Sequence, residues 1–213
     1  MPQLPLFDAP SGPQHLDLPD GALTFWPQWL QVEEAENLKQ VLIEEIDWQQ
    51  REIQLFGRKV KEPRLTAWHG DSGTAYTYSG ITLKPLPWGK RLAELKQQVE
   101  ATTGTRFNSV LLNLYRHGQD SMGWHSDDEP ELGRNPVIAS LSLGETRPFH
   151  LRHRFDASLE KVKLSLGSGS LLLMAGPTQH YWQHQVPKTQ RPIGSRLNLT
   201  FRWIGERGEG EMG

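Results

Sequence analysis

The segment SRLNLTFRW, residues 195 to 203, places the strongest constraint on how this chain folds. Its polar and apolar residues alternate strictly, as in a β-strand whose two faces meet different surroundings. One face carries only leucine and aromatic side chains, which predicts a central rather than an edge strand. The other face carries two arginines, an amide and a hydroxyl, namely Arg196, Asn198, Thr200 and Arg202. Buried arginines need anionic partners, and a small dicarboxylate would supply them.

Short strand-like segments with turn residues between them fill the chain after residue 105. They read FNSVLLNLYR, PVIASLSLG, RPFHLRHR, LEKVKLSLG, SLLLMAG and the segment above. Two segments upstream have apolar residues at helical spacing. The first is LQVEEAENLKQVLIEEI, with apolar positions from Val32 to Ile46, and the second is GKRLAELKQQVEATTG, a helix predicted to end at Gly104. We therefore predict a mainly β fold, a sandwich or barrel with flanking helices on one side.

The composition fits one globular domain, with 213 residues of which 36% are hydrophobic and 23% charged. We expect a flexible tail over residues 1 to 16, the domain over 17 to 205 and a second flexible tail over 206 to 213. No apolar run reaches the length of a membrane span and no secretory signal is recognisable, so we expect a cytoplasmic monomer. Because the chain has no cysteine, any metal must be held by nitrogen and oxygen ligands.

The net charge of −2 argues against a general nucleic-acid binder, because contacts to phosphate dominate the affinity of such proteins. Basic residues nevertheless cluster in two stretches, at residues 51 to 64 and 147 to 154. Each stretch is either a local phosphate contact or a solvated hairpin face.

The stretch GWHSDDEPEL, residues 123 to 132, is too polar for ordinary core. His125 and Asp127 stand two residues apart, so both side chains point the same way in an extended segment. Either this is a solvated acidic turn, or a metal ion or cationic substrate sits among the acids. A third metal ligand would come from His180 or His184 in TQHYWQHQVP. Two histidines and one carboxylate form the facial triad that is typical of non-haem Fe(II) oxygenases.

These motifs, in this order, resemble the AlkB-type Fe(II)/2-oxoglutarate dioxygenases, which demethylate nucleic acids. NLYRHGQDSMGWHSDDE resembles the family's segment with the first two iron ligands, HQVP the segment with the last, and RLNLTFR its closing strand. The resemblance covers about residues 48 to 204. It implies a double-stranded β-helix, which is a kind of jelly roll. It also implies that the Fe(II) ligands are His125, Asp127 and His184, which selects His184 over His180.

The resemblance further implies that side chains of two strands bind the co-substrate 2-oxoglutarate. They are Asn113, Tyr115, Arg196, Asn198 and Arg202, and Arg202 is also counted among the catalytic residues. A guanidinium group matches a carboxylate as a two-point fork, which agrees with the polar face of the last strand.

The stretch LFGRKVKEPRLTAWHGDSGTAYTYSG is similar to the substrate-recognition region of the family branch that repairs duplex DNA as well as single strands. In that branch the tip of a hairpin enters the base stack where the damaged base was. The flipped base would lie between Tyr78 and His125. The substrate contacts implied are Phe56 at the tip, Arg64, Tyr76 and Tyr78 around the base, Glu129 facing the cationic base, and Arg152 in a basic loop.

The activity implied is oxidative demethylation of N-alkylated DNA bases, of the 1-methyladenine and 3-methylcytosine type. It uses Fe(II), O₂ and 2-oxoglutarate and releases succinate, CO₂ and formaldehyde. One alternative is the same chemistry on RNA or another methylated substrate, such as a protein or a small metabolite. A second is a damage-binding module without turnover, which would not need the triad and both arginines. A third is metal-assisted hydrolysis, which needs a general-base carboxylate such as Glu129.

The N-terminal tail contains QLPLF, Gln3 to Phe7, which resembles the peptide that docks bacterial replication and repair proteins on the sliding clamp. Large apolar residues in a flexible segment suit a docking peptide, and Pro5 lowers the entropy lost on ordering. The alternatives are that the segment folds back onto the domain or matches by chance. We expect clamp binding, and a bacterial chain whose repair is coupled to replication.

Overall fold

The computed structural model describes residues 12–55, 58–74, 76–78 and 81–205. Within these residues the chain forms the helices α1 (Val32–Glu45), α2 (Lys90–Thr103) and α3 (Thr178–Tyr181), and a 3-10 turn at Pro130–Leu132. The strands are β1 (Gln14–Leu18), β2 (Gly21–Trp26), β3 (Glu52–Leu55), β4 (Arg58–Lys61), β5 (Leu65–Gly70), β6 (Tyr76–Tyr78), β7 (Ile81–Leu83), β8 (Ser109–Tyr115), β9 (Met122–His125), β10 (Ile138–Gly144), β11 (Arg147–His153), β12 (Val162–Leu166), β13 (Ser170–Ala175), β14 (Trp182–Val186) and β15 (Arg196–Arg202). All six strand segments predicted after residue 105 are therefore confirmed.

Two antiparallel sheets form the body of the fold. One has seven strands in the order β1-β2-β13-β10-β15-β8-β5, and the other has four in the order β12-β11-β14-β9. Strands that are distant in sequence lie side by side, which is characteristic of jelly rolls. Two hairpins, β3–β4 and β6–β7, stand outside these sheets. The predicted mainly β, jelly-roll fold with flanking helices is confirmed.

The apolar side chains pack into two layers, one on each face of the seven-stranded sheet. The first layer joins α1 and α2 to the outer face, through residues such as Ala35, Leu95 and Leu199. The second fills the space between the two sheets, with Phe149 and Trp182 among its largest side chains. Both helices lie on the same face, so the space between the sheets is left to strand side chains alone.

The strand β15 is central, as its sequence predicts, because it pairs with β10 on one side and β8 on the other. Leu197, Leu199 and Phe201 belong to the layer beneath the helices. Strand alternation therefore turns the four polar side chains toward the space between the sheets. In the pairing of β15 with β8, Arg196 is aligned with Tyr115 and Asn198 with Asn113. Tyr115 and Asn113 therefore lie on the same face of β8.

The two long helices are close to their predicted bounds. Helix α2 ends at Gly104, whose φ of 66° is the left-handed conformation that glycine adopts without strain. In α1, Ala35 and Leu42 are buried as the spacing predicts. Val32 is instead 66% exposed, because the first turn of α1 extends beyond the edge of the apolar layer.

Residues 14 to 16, which we placed in the N-terminal tail, belong to a strand. Gln14 is already the first residue of β1, and it pairs with Phe25 of β2. Backbone pairing was missed there because QHLDL has few β-branched or aromatic residues to indicate a strand. The QLPLF segment lies outside the described residues. No helix in the described part of the chain combines the length and apolarity needed to cross a membrane.

Candidate active site

A cavity between the two sheets collects the predicted iron and 2-oxoglutarate residues. Its lining comes mainly from β8, β9, β14 and β15 and the loop after β9, with single residues from β10, β11 and β13 and Arg64 before β5. The predicted residues that line it are Arg64, Asn113, Tyr115, His125, Asp127, His184, Arg196, Asn198 and Arg202. Residues up to 138 positions apart in sequence (64 to 202) therefore contribute to one site.

The two histidines face each other across a strand pair. His125 ends β9 and is aligned with His184 of β14, and their ring centroids are 4.2 Å apart. The Nδ1 of His125 is 2.9 Å from the carbonyl oxygen of Gly123. Because a carbonyl oxygen only accepts, Nδ1 carries the proton and Nε2 keeps its lone pair, as in most metal-binding histidines.

Both imidazoles are held in the neutral form. Burial, aided by repulsion from His125, lowers the pKa of His184 to about 3. Burial also lowers the pKa of His125, although the Asp127 carboxylate opposes this shift. Neutral imidazole is the form that binds a metal ion, so the cavity selects the required state at neutral pH.

Asp127 is fixed at both its side chain and its backbone. Arg202 Nη2 donates to its Oδ1 at 2.7 Å, and its own backbone N–H donates to Gln179 Oε1 at 3.0 Å. Burial is the largest influence and opposes ionisation, but Arg202, by its charge and hydrogen bond, together with His184 and His125 outweighs it and keeps the pKa of Asp127 below its ordinary value. The carboxylate is therefore charged, and Arg202, for which we predicted a 2-oxoglutarate contact, also orients Asp127.

These three side chains line one cavity, but they are not yet closed around a single point. Among the residues that the structure describes, no group of three His, Asp or Glu side chains already converges as a preformed metal site. One carboxylate oxygen of Asp127 is directed at Arg202. Its second oxygen and the imidazole nitrogens are of the donor types found in a facial triad.

Arg196 carries the clearest mark of a missing anion. Its guanidinium is buried, and Nη2 donates to Ser142 Oγ at 2.8 Å. Its Nε and Nη1 are buried without a hydrogen-bond partner in the described structure. Burial, together with repulsion from Arg147, lowers the pKa of Arg196 to about 10, although Tyr115 opposes the shift. The group is thus still charged at neutral pH, and its two unused donor nitrogens suit an anionic ligand.

Polar contacts on the cavity wall hold the amide side chains in place. Asn198 Nδ2 donates to Ser140 Oγ at 2.8 Å, and Thr200 Oγ1 donates to Asn198 Oδ1 at 3.0 Å. Arg64 Nε donates to Asn113 Oδ1 at 2.8 Å, and Arg64 is ion-paired with the buried Glu62. Networks of this kind restrict each amide to one orientation.

Three other side chains lie away from the cavity lining. His180 is in α3 and lines a separate surface cleft. Arg152 is in β11 rather than in a loop, on the face opposite Leu151. It donates to Gln183 Oε1 at 2.9 Å and lies 4.3 Å from the Trp124 ring centroid. Glu129 precedes the 3-10 turn and is not among the lining residues.

The hairpin predictions fall largely outside what is described. β3 and β4 form the predicted hairpin, with Leu55 aligned with Arg58, while Phe56 lies outside the described residues. Tyr76 and Tyr78 belong to β6, and their side chains are also outside the description. The substrate roles of these residues therefore stay predictions.

Several site residues were missed from sequence. Gln179, fully buried, supports Asp127, and Phe149 stacks at 5.2 Å on His184. Ser140 on β10 lines the cavity beside Asn198. Strand alternation in PVIASLSLG would have placed Ser140 and Ser142 on one face, but no sequence pattern links Gln179 to a residue 52 positions away.

Comparison with known proteins agrees with this arrangement. A family model described as the 2OG-Fe(II) oxygenase superfamily matches residues 22–202. Human alpha-ketoglutarate-dependent dioxygenase alkB homolog 3 is 45% identical over 187 residues, which cover 84% of this chain and 65% of that protein. Human DNA oxidative demethylase ALKBH2 is 39% identical over 180 residues, which cover 80% of this chain and 69% of that protein.

A solved structure, that of OsALKBH1, superposes with a TM-score of 0.59 at 16% identity and covers 89% of this chain and 100% of that one. At this identity the likeness concerns the fold. The chain spans about two thirds of the length of its curated relatives, at 65% of human alkB homolog 3. Because the family model matches most of the chain and ALKBH2 is 39% identical to it, the chain belongs to the AlkB-type group of the 2OG-Fe(II) oxygenase superfamily.

Proposed function

We propose that this chain is an oxidative demethylase of N-alkylated DNA bases of the 1-methyladenine and 3-methylcytosine type. The observation that carries the proposal is the single cavity in which His125, Asp127 and His184 meet a buried Arg196 with two unused N–H groups. A metal-ligand set and an anion receptor in one cavity suit a metal enzyme with a carboxylate co-substrate.

Fe(II) fits the donors that line this cavity. His125, Asp127 and His184 would hold it, since two neutral imidazoles and a carboxylate match its preference and leave positions open. Bound Fe(II), with 2-oxoglutarate and O₂, supplies the oxidation that hydroxylates the N-methyl carbon, yielding succinate, CO₂ and, on release of formaldehyde, the restored base. Arg202 keeps Asp127 ionised and oriented, and Gln179 fixes its backbone.

2-Oxoglutarate would be held by the polar faces of β8 and β15. Arg196 receives one carboxylate, because its buried donors Nε and Nη1, which lack a partner in the described structure, are available to an anionic oxygen. The Tyr115 ring lies 5.3 Å from the Arg196 guanidinium carbon and restricts its position. Asn113, Asn198 and Arg202 complete the predicted set. This placement excludes water from the co-substrate because the inner wall is formed by the apolar layer between the sheets.

The methylated base would enter the cavity beside Arg64. Arg64 is held by Asn113 and Glu62, so its position is fixed before substrate arrives. The base is proposed to lie between Tyr78 and His125, with Tyr76 nearby, and Glu129 is proposed to attract the positive charge of the methylated base. Arg152 is proposed to contact the DNA backbone from β11. The similarity to the DNA oxidative demethylase ALKBH2 supports this choice of substrate.

Mass spectrometry tests the proposal directly. Oligonucleotides with 1-methyladenine or 3-methylcytosine are incubated with the protein, iron, ascorbate and 2-oxoglutarate. We expect loss of one methyl group, with formaldehyde released, only when 2-oxoglutarate and O₂ are both present. Turnover restricted to methylated RNA would establish the same chemistry on RNA. Binding without turnover would establish a damage-binding module, and activity that survives removal of O₂ would indicate metal-assisted hydrolysis.

Phe56→Ala is expected to reduce repair of duplex DNA more than repair of single strands. Only a duplex leaves a gap in its base stack that a wedge residue must fill. The rates on both substrates are compared with those of Val60→Ala, a control in the partner strand of the same hairpin. Equal losses on duplex and single strand would make Phe56 an ordinary packing residue.

The sliding clamp is proposed as a partner of the N-terminal QLPLF segment. Deleting residues 1 to 8 is expected to abolish clamp binding, whose affinity we place in the micromolar range, about −8 kcal/mol. Calorimetry compares the full chain, the deletion and an Asp8→Ala control, while demethylation of free oligonucleotides should be unchanged. The hypothesis fails if both forms bind equally or if neither binds.

A further inference from the structure

An aromatic cleft lies on the surface next to the cavity. We define it by its lining, which is Arg134, Asn135, Phe155, Pro177, His180 and Tyr181. Phe155 is 71% exposed and Tyr181 37% exposed, which makes Phe155 the most exposed large apolar side chain of the described residues. The two rings are adjacent and form one exposed apolar patch, which is the kind of surface that binds ligands.

The two rings are ordered although they are exposed. His153 stacks on Tyr181 at 5.8 Å, and Phe155 meets the edge of Tyr181 at 6.0 Å. His153 Nδ1 also accepts a hydrogen bond from the backbone N–H of Asp156 at 2.9 Å, which fixes the start of the loop after β11. A ligand that stacks on Phe155 therefore loses little entropy to ordering the protein.

The charge of the cleft favours an anionic ligand. Its lining includes a guanidinium, an imidazole and an amide, and it includes no carboxylate. Arg134 is exposed and lines the same cleft as the aromatic rings. The adjacent Arg154 is occupied by Asp128, at 2.6 Å. A ligand with a flat π face and a neighbouring negative charge matches this lining, and a nucleotide has both.

The cleft adjoins the segments that supply the active site. Arg154 bonds Asp128, which directly follows Asp127. Helix α3 gives His180 and Tyr181 to the cleft and Gln179 to Asp127. Tyr181 precedes His184 by three residues, which span roughly 10 Å of extended strand. Such a distance corresponds to about three nucleotides of rise along one strand.

We infer that the aromatic cleft binds an unpaired nucleotide that flanks the target base, with its base stacked on Phe155 and its phosphate beside Arg134. This inference rests on the proposed function and adds a strand-binding surface to it. Paired bases of a duplex have both faces covered by their neighbours. The cleft therefore favours single-stranded nucleic acid and discriminates against a fully paired duplex.

Binding of an unmethylated single-stranded oligonucleotide tests the stacking contact without relying on turnover. We expect Phe155→Ala to weaken binding about tenfold, in the range for one base stacked on an aromatic ring, and Phe155→Trp to restore it. Val32→Ala, at another exposed apolar residue, should bind like wild type. Equal loss on a paired duplex of the same length, or no loss on the single strand, overturns the inference.

Salt dependence tests the phosphate contact. Arg134→Gln is expected to lower the slope of log affinity against log salt concentration by about one, because one phosphate contact is lost. In kinetics, Phe155→Ala should raise KM for long methylated strands but not for a methylated trinucleotide, which is too short to fill both sites. An unchanged slope or an equal effect on the trinucleotide overturns the inference. If the protein binds single strands in a Phe155-dependent way but does not demethylate them, the proposed demethylation is refuted and the inferred nucleotide site is retained.

Discussion

Replacing His184 by alanine is expected to reduce demethylation by more than about a hundredfold. Loss of even an outer-shell partner of a metal ligand lowers affinity or activity about 10- to 100-fold, and loss of a ligand removes more. His184 is buried, aligned with His125 and neutral, so no other imidazole of the described cavity lining can take its place. His125→Ala and Asp127→Ala are expected to have the same effect. Turnover is measured with excess Fe(II).

A second measurement separates loss of the metal from loss of the fold. Fe(II) under anaerobic conditions should stabilise the wild type by mass action, by about 2.7 kcal/mol at a hundredfold excess over Kd, and so raise its melting temperature. The melting temperature of the variant should not rise. His184→Gln repeats the test with little change in volume, because His184 stacks on Phe149. His180→Ala is the matched control, since its side chain lines the surface cleft instead. An inactive His180→Ala beside an active His184→Ala would contradict the ligand assignment.

The site residues on β15 could be predicted from sequence because strand alternation is a local property. The pattern of Leu197 and Leu199 against Arg196 and Asn198 determines which face is polar wherever the strand lies. Its length and apolarity also indicated a central position, which the pairing with β10 and β8 confirms. The same reasoning located the pair His125 and Asp127.

The choice between His180 and His184 could not be made from spacing alone. The chain turns through α3 at residues 178 to 181 and begins β14 at Trp182, so only His184 enters the strand that faces His125. That short helix has no periodic signal, because four residues are too few to show one. The support of Asp127 by Gln179 was likewise invisible, since it depends on where two distant segments meet.

Replacing Arg196 by alanine is expected to raise the KM for 2-oxoglutarate about 30-fold or more. Deleting one side of a buried contact to a charged group costs about 2–5 kcal/mol, and each 1.4 kcal/mol is a factor of ten. Arg196 is the receptor because its Nε and Nη1 have no hydrogen-bond partner in the described structure. Binding of methylated single-stranded DNA should be unchanged, since Arg196 lies on the inner face of a central strand.

Stability measurements distinguish this role from ordinary packing. A buried guanidinium with unsatisfied donors destabilises the empty protein, so Arg196→Met, which keeps the bulk, should melt at or above the wild-type temperature. Addition of 2-oxoglutarate with Fe(II) should then raise the melting temperature of the wild type well above that of the variant. Arg91→Met is the control, because Arg91 is half exposed on α2, pairs with Glu45 of α1 and is not among the residues that line the cavity. If Arg196→Met melts several degrees lower and keeps the wild-type KM for 2-oxoglutarate, Arg196 is a structural residue and the carboxylate binds elsewhere.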